Sequence, residues 1–177
     1  MIMACRGDYQ SPVGYAIFQN ITEVFITATR NILKFGDETL LKISRPVTEF
    51  DGRLTALIDD LTETMRARDG CGLAAVQVGV LRRVCVVDTG HGVVELVNPE
   101  IIERHGVQEE SEGCLSSPGE YGITRRPRAV RVRAQDRHGK IFTTYGEDLT
   151  ARAFCHEIDH LDGILFTTHV IRPDKTF

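Results

Sequence analysis

The stretch EDLTARAFCHEIDHLD, residues 147–162, decides how this chain is read. Leu149, Ala153, His156 and His160 fall on one stripe at helical spacing, Phe154, Ile158 and Leu161 fall on its neighbour, and Gly163 closes the run. A helix apolar over so much of its circumference is buried, and this one carries two histidines and a glutamate inward with it. His156-Glu157-Ile158-Asp159-His160 is an HExxH pattern. Side chains four apart on a helix are neighbours, with Cβ atoms about 5–6 Å apart. Two imidazoles can therefore converge on one metal ion, while Glu157 reaches a water beside it without ligating. Two histidines that merely fill a core would give the same pattern.

Upstream, Leu54, Leu57, Ile58, Leu61 and Met65 form a single apolar stripe of period 3.6, with Asp51 as cap and Gly70 after the end. They predict a helix over 51–68. GCGLAAVQVG (70–79) follows, with glycine at both ends and an apolar middle. Short β-branched runs then succeed one another at 83–88, 93–98, 100–104, 130–135 and 141–145, separated by Gly, Pro, Asp and His. They predict antiparallel strands, with a tight turn at His138-Gly139. One helix, many strands and one buried helix make an α+β domain, antiparallel β-sheets packed around a C-terminal helix that carries HExxH. No repeat or linker divides the chain, so residues 29–177 form a single domain, preceded by an unpatterned N-terminal extension at 1–28.

A third ligand has to come from somewhere. A glutamate some twenty residues downstream would suit one class of zinc protease, but none follows His160. The longer pattern HExxHxxGxxH is matched as far as Gly163 and then fails, because its third histidine position is Phe166. The ligand must lie upstream, and Cys114 is the best candidate. It sits in Glu112-Gly113-Cys114-Leu115-Ser116, a polar, glycine-flanked stretch where backbone amides can face a ligand. Cys5, Cys71 and Cys85 read instead as small buried apolar residues. Three protein ligands with one position open is the arrangement of a catalytic site.

Composition excludes other classes. The chain is 42% hydrophobic and 26% charged, with a formal charge of −4, so direct nucleic acid binding is not expected. The one basic cluster, Arg125, Arg126, Arg128, Arg131 and Arg133, reads as a solvated strand face with one buried salt-bridge partner. An odd cysteine count without CxxC favours a reducing compartment. No apolar run approaches the roughly 20 residues of a membrane span, and the first thirty residues lack the layout of a secretory signal or transit peptide. The expected location is the cytoplasm.

GCGLAAVQ (70–77), EGCLS (112–116) and HEIDH (156–160), in that order, closely resemble the three signature motifs of peptide deformylases, and NILKFGDETLLKISRPV (31–47) resembles that family's opening segment. The resemblance covers roughly residues 29–168. It implies an enzyme that removes the formyl group from the N-terminal formylmethionine of newly made polypeptides, encountered as far out as the ribosome exit. It implies one divalent metal ion on Cys114, His156 and His160, Fe²⁺ in bacterial members, with Zn²⁺, Ni²⁺ or Co²⁺ also suited to these donors. Glu157 would take a proton from the attacking water and return it to the leaving amine. The Gln77 side-chain amide and the Leu115 backbone N–H would stabilise the oxyanion. Gly70, Cys71 and Gly72 would pair with the substrate as an added strand, and an apolar pocket walled by Cys71, Leu115, Ala153 and Phe154 would take the methionine. Glu112 and Arg126 would form a buried ion pair supporting the Cys114 loop.

The sequence departs from the family pattern at Cys155, where glutamine is usual, and at Ser117, where an apolar residue is common. Cys155 motivates an alternative: a deformylase-like metal-binding protein with weak or lost activity. An endopeptidase is disfavoured by the missing downstream ligand.

Overall fold

The computed structural model describes residues 29–174, so the extension assigned to 1–28 and the last three positions of the domain lie outside the described residues. The first long helix, α1 (Gly52–Ala67), starts at Asp51, whose carboxylate accepts from the N–H groups of Arg53 and Leu54 at 3.1 and 3.0 Å. Its expected stripe is its buried face: Leu54, Leu57, Ile58, Leu61 and Met65.

Five strands form one antiparallel sheet: β1 (Gly72–Ala74), β2 (Val84–Val87), β3 (Val94–His105), β6 (Ala129–Gln135) and β7 (Ile141–Glu147), in the order β1-β2-β3-β6-β7. A second sheet of three strands, β4 (Gln108–Cys114), β5 (Ser117–Arg126) and β8 (Val170–Pro173), has the order β4-β5-β8. The interior strand β2 shows how the layers divide. Val84 and Val86 pack into the core around α1, while Cys85 and Val87 pack into the core around the second helix, α2 (Asp148–Leu161). Side chains alternate across a strand, so α1 and α2 cover opposite faces of β2, and its sequence VCVV is apolar on both.

Several expectations are corrected. The runs at 93–98 and 100–104 are one strand, β3, with a register shift between Val97 and Glu100. Pro99 has no N–H to give the ladder, and the irregularity absorbs it. Asn98 adopts φ 51° there, and its side-chain amide bonds the Val47 carbonyl and Gln135. The sequence pattern marks neither the β4–β5 hairpin, whose buried positions include Glu112, Gly122, Thr124 and Arg126 rather than an apolar alternation, nor the short β8, which has only four residues. On β6 the basic cluster behaves as expected: Arg131 and Arg133 pair with Glu103 and Glu100 of β3 on the exposed face. The β6–β7 turn holds Gly139 at φ +84°, with the Asp136 carboxylate accepting from the N–H groups of His138 and Lys140.

Helix α2 is buried nearly all round, and only Asp159 of residues 151–161 is half-buried. Its end is tied to the segment after residue 29: the Ser44 N–H donates to the Leu161 carbonyl at 2.8 Å. Gly163 turns the chain there at φ +72°, and a Cβ on it would lie 2.7 Å from the Leu41 carbonyl carbon. Gly163→Ala is therefore expected to lower stability by about 1–3 kcal/mol through strain and overlap, measured by urea denaturation; an unchanged midpoint would contradict this account of the turn.

Candidate metal centre

Helix α2 projects His156 and His160 from one face, with ring centroids 4.8 Å apart. Cys114 ends β4, at the two-residue turn into β5, and its Sγ lies 3.2 Å from His160 Nε2. One donor atom from each of Cys114, His156 and His160 falls within 4.8 Å of the other two, and all three residues are buried. Among the described residues these three form the group that could hold a metal ion.

The donors are prepared for that role. His156 places Nδ1 2.7 Å from Glu112 Oε1, which leaves its Nε2 for a ligand. Burial opposes charge on His156, but the neighbouring Cys114 sulfur and Glu112 carboxylate outweigh it and hold its pKa well above the ordinary value. Burial drives the His160 pKa well down, aided by the charge of His156, so that ring is neutral, the form that ligates. His160 Nδ1 is buried without a hydrogen-bond partner among the described residues. The Cys114 sulfur receives the Ser116 N–H at 3.4 Å and the Gln77 amide at 3.5 Å. This donor set fits a divalent ion.

Glu157 stands beside the donors. It is 1% exposed, and its Oε2 has no partner within the described residues. Burial raises its pKa to about 7; the nearby His156 charge works against this, while Glu112 and Asp159 add to it. Gly72 packs against it, since a Cβ there would sit 2.7 Å from Glu157 Cδ. Gly70 packs against Leu115 in the same way, its Cβ position lying 2.8 Å from Leu115 Cδ1. The two glycines thus have internal reasons beyond the approach of a substrate backbone. Gln77 lies in a 3-10 turn after β1, and its Oε1 accepts the Ala74 N–H at 2.8 Å. That bond turns Nε2 toward Cys114 and Ser116, the latter at 3.2 Å from Oγ.

The expected Glu112–Arg126 pair is present at 2.7 Å, with side chains 0% and 3% exposed. It is wider than foreseen. Glu112 also accepts from Thr124 at 2.7 Å, and Arg126 also bonds Asp159 of HEIDH, which in turn faces His169 at 3.1 Å. The Asp in that motif was readable as a helix residue only; nothing local marks a partner 33 residues away. Phe166, where a third histidine failed to appear, packs its ring 6.0 Å from that of His156. Of the expected pocket walls, Cys71, Ala153 and Phe154 are fully buried and Leu115 nearly so. Ala153 and Phe154 belong to the α2 core and Leu115 to the α1 core. Cys155 packs into the α2 core, where burial raises its thiol to about 11.

A family model described as polypeptide deformylase matches residues 29–176. The chain belongs to that family. Curated relatives include the peptide deformylase of Acetivibrio thermocellus, 55% identical over 145 residues, covering 82% of this chain and 85% of the relative. That of Caldanaerobacter subterraneus is 52% identical, covering 82% and 91%. Among solved structures, the Thermotoga maritima peptide deformylase superposes with a TM-score of 0.79 at 40% identity, covering 81% of this chain and 98% of its own. An Acinetobacter baumannii deformylase with Met-Ala-Ser bound gives 0.78 at 33%, covering 82% and 100%. This deformylase is accordingly a metallohydrolase that removes the N-terminal formyl group from newly made polypeptides.

Burial works against the Glu112 charge, yet the bonds from His156 and Arg126 hold its pKa well below the ordinary range. Its stabilising contribution is therefore complete above the unfolded value of about 4.3 and is lost as pH falls through the lower folded value. Glu112→Ala leaves Arg126 with Asp159 as its remaining carboxylate partner and frees His156. It is expected to lower stability at pH 7 by about 3–5 kcal/mol and to weaken metal binding about 10–100-fold. Chemical denaturation and metal titration check both.

Proposed function

We propose that Cys114, His156 and His160 hold one divalent ion, with Fe²⁺ the native metal, and that Glu157, Gln77 and the Leu115 backbone perform the deformylation around it. The observation that carries this reading is a three-donor cluster beside a buried carboxylate with a free oxygen. An ion held there would supply Lewis acidity and lower the pKa of water from about 15.7 toward 7.

The protein's own groups do the rest. Glu157 accepts the proton of the attacking water as the new C–O bond forms at the formyl carbon. Its pKa of about 7 suits both halves of the exchange, since the same proton is returned to the departing amine when the C–N bond breaks. Formate and a free N-terminus result. Negative charge develops meanwhile on the formyl oxygen, and the Gln77 Nε2 and the Leu115 N–H are the fixed donors aimed at it. The Ala74 N–H anchors the Oε1 end of Gln77, so turning Nε2 to the oxyanion requires only that it exchange its contact with Cys114 or Ser116.

The peptide is proposed to lie along β1, with Gly70, Cys71 and Gly72 as its backbone partners. β1 is an edge of its sheet among the described residues and pairs there only with β2. An extended peptide adds naturally to such an edge. The relative solved with Met-Ala-Ser bound supports a short linear substrate beginning with methionine, whose side chain we place against Leu115 and Cys71. No helix of the described residues is long and apolar enough to cross a membrane. Formylated chains emerge at ribosomes, so we place the enzyme in the cytoplasm, acting as chains leave the ribosome.

Anaerobically purified protein loaded with Fe²⁺ or Co²⁺ is expected to release formate from formyl-Met-Ala-Ser, to stop when a chelator strips the ion, and to recover on its return. Glu157→Ala should keep the metal and lose turnover; retained activity would remove the proton-transfer role. Gln77→Ala should lower kcat about 10²–10³-fold. Gly72→Ala pushes against the Glu157 carboxylate and should lower kcat without releasing metal, followed by steady-state kinetics and metal analysis.

A further inference from the structure

The segment Leu33–Phe35 lies outside every helix and strand, yet three consecutive residues hold the backbone carbonyls of Gln77, Leu115 and Ser116. The Leu33 N–H donates to the Gln77 carbonyl at 2.8 Å, and the Phe35 N–H to the Ser116 carbonyl at 3.0 Å. Between them, the Lys34 ammonium donates to the Leu115 carbonyl at 2.9 Å, across 81 residues of sequence. Both carbonyls of the turn that follows Cys114 are thereby held by one short strap, and the strap's other end holds the backbone of Gln77.

We propose that Lys34 is a positioning residue for deformylation, fixing the Leu115 turn so that its N–H and the Gln77 amide keep a common aim. The inference rests on the reading that these two groups face the oxyanion. Its physical basis is the short turn. β4 and β5 are joined through Leu115 and Ser116 alone. A rotation of the Leu115–Ser116 peptide changes the torsions at Leu115 and with them the orientation of the adjoining Cys114–Leu115 peptide, which carries the Leu115 N–H. The Ser116 carbonyl is held by a backbone bond that no side-chain substitution removes, whereas the Leu115–Ser116 peptide is held by Lys34 at its carbonyl and by a longer 3.4 Å contact from its N–H to the Cys114 sulfur. A charged donor bonds a carbonyl more strongly than a neutral one. Lys34 itself is exposed, which leaves it outside the apolar core. A substitution there changes the turn without opening a cavity.

The test compares Lys34→Met, Lys34→Arg and Gln77→Ala as metal-loaded enzymes acting on formyl-Met-Ala-Ser. Misplacing a donor used only in the transition state lowers kcat and leaves KM in place. Lys34→Met is expected to reduce kcat roughly 10-fold or more, with KM within about twofold and metal content unchanged. Amide hydrogen exchange at Leu115 and Ser116 should quicken in the same variant, and Lys34→Arg should restore most of the rate. Wild-type kcat in Lys34→Met, with Gln77→Ala impaired, overturns the positioning role while leaving the oxyanion reading intact. Wild-type kcat in Gln77→Ala overturns the oxyanion reading itself. A fall in Lys34→Met that appears wholly in KM, or is not restored by arginine, also overturns the proposal.

Discussion

A carboxylate without solvent must be satisfied by the protein, and Glu112 is satisfied by partners from two other elements. His156 reaches it from α2, Arg126 and Thr124 reach it from β5, and the glutamate itself stands on β4. Removing that charge from water is costly enough that the arrangement persists only with every bond made. The consequence is geometric. The same carboxylate that fixes the His156 ring also fixes the strand ending at Cys114, so two donors from different layers are set by one group. Asp159 extends the same web through Arg126 to His169.

Around this web the site is crowded by intent of packing rather than by loops. Gly72 lets β1 run against the Glu157 carboxylate, and Gly70 does the same for Leu115. Glu157 is kept dry enough to hold its proton near neutral pH, and Cys85 lies close enough to feel its charge. The two long helices do different work. α1 covers one face of β2 chiefly with Leu54, Leu57, Ile58, Leu61 and Met65, whereas α2 covers the other and carries His156, Glu157 and His160.

Much of this was legible in the chain because it is local. The α1 stripe, the buried α2 with HExxH and the failed third histidine at Phe166 all follow from spacing over a single helix or its flank. Cys114 came from elimination and from its glycine-flanked surroundings, and the structure brings it to His160. What was hidden is what depends on distant pairing. β4 reads QEESEGC, with no apolar alternation, because Gln108 and Glu112 answer Arg152 and His156 of α2 instead of a hydrophobic layer. Pro99 split one strand into two on paper, since a register shift has no sequence mark of its own. Lys34 belonged to a family-like opening segment, but its partner lies 81 residues on.

The placement of the donors has a thermodynamic corollary. Cys114 belongs to the three-stranded sheet, while both histidines ride on the helix packed against the five-stranded one. A ligand shared between two such modules binds the assembled state and not the separated one, so its free concentration enters the unfolding equilibrium as RT ln(1 + [L]/Kd). On the proposed ligation the ion would be a cross-link as well as a reagent, and the melting temperature of this enzyme would become a gauge of metal supply.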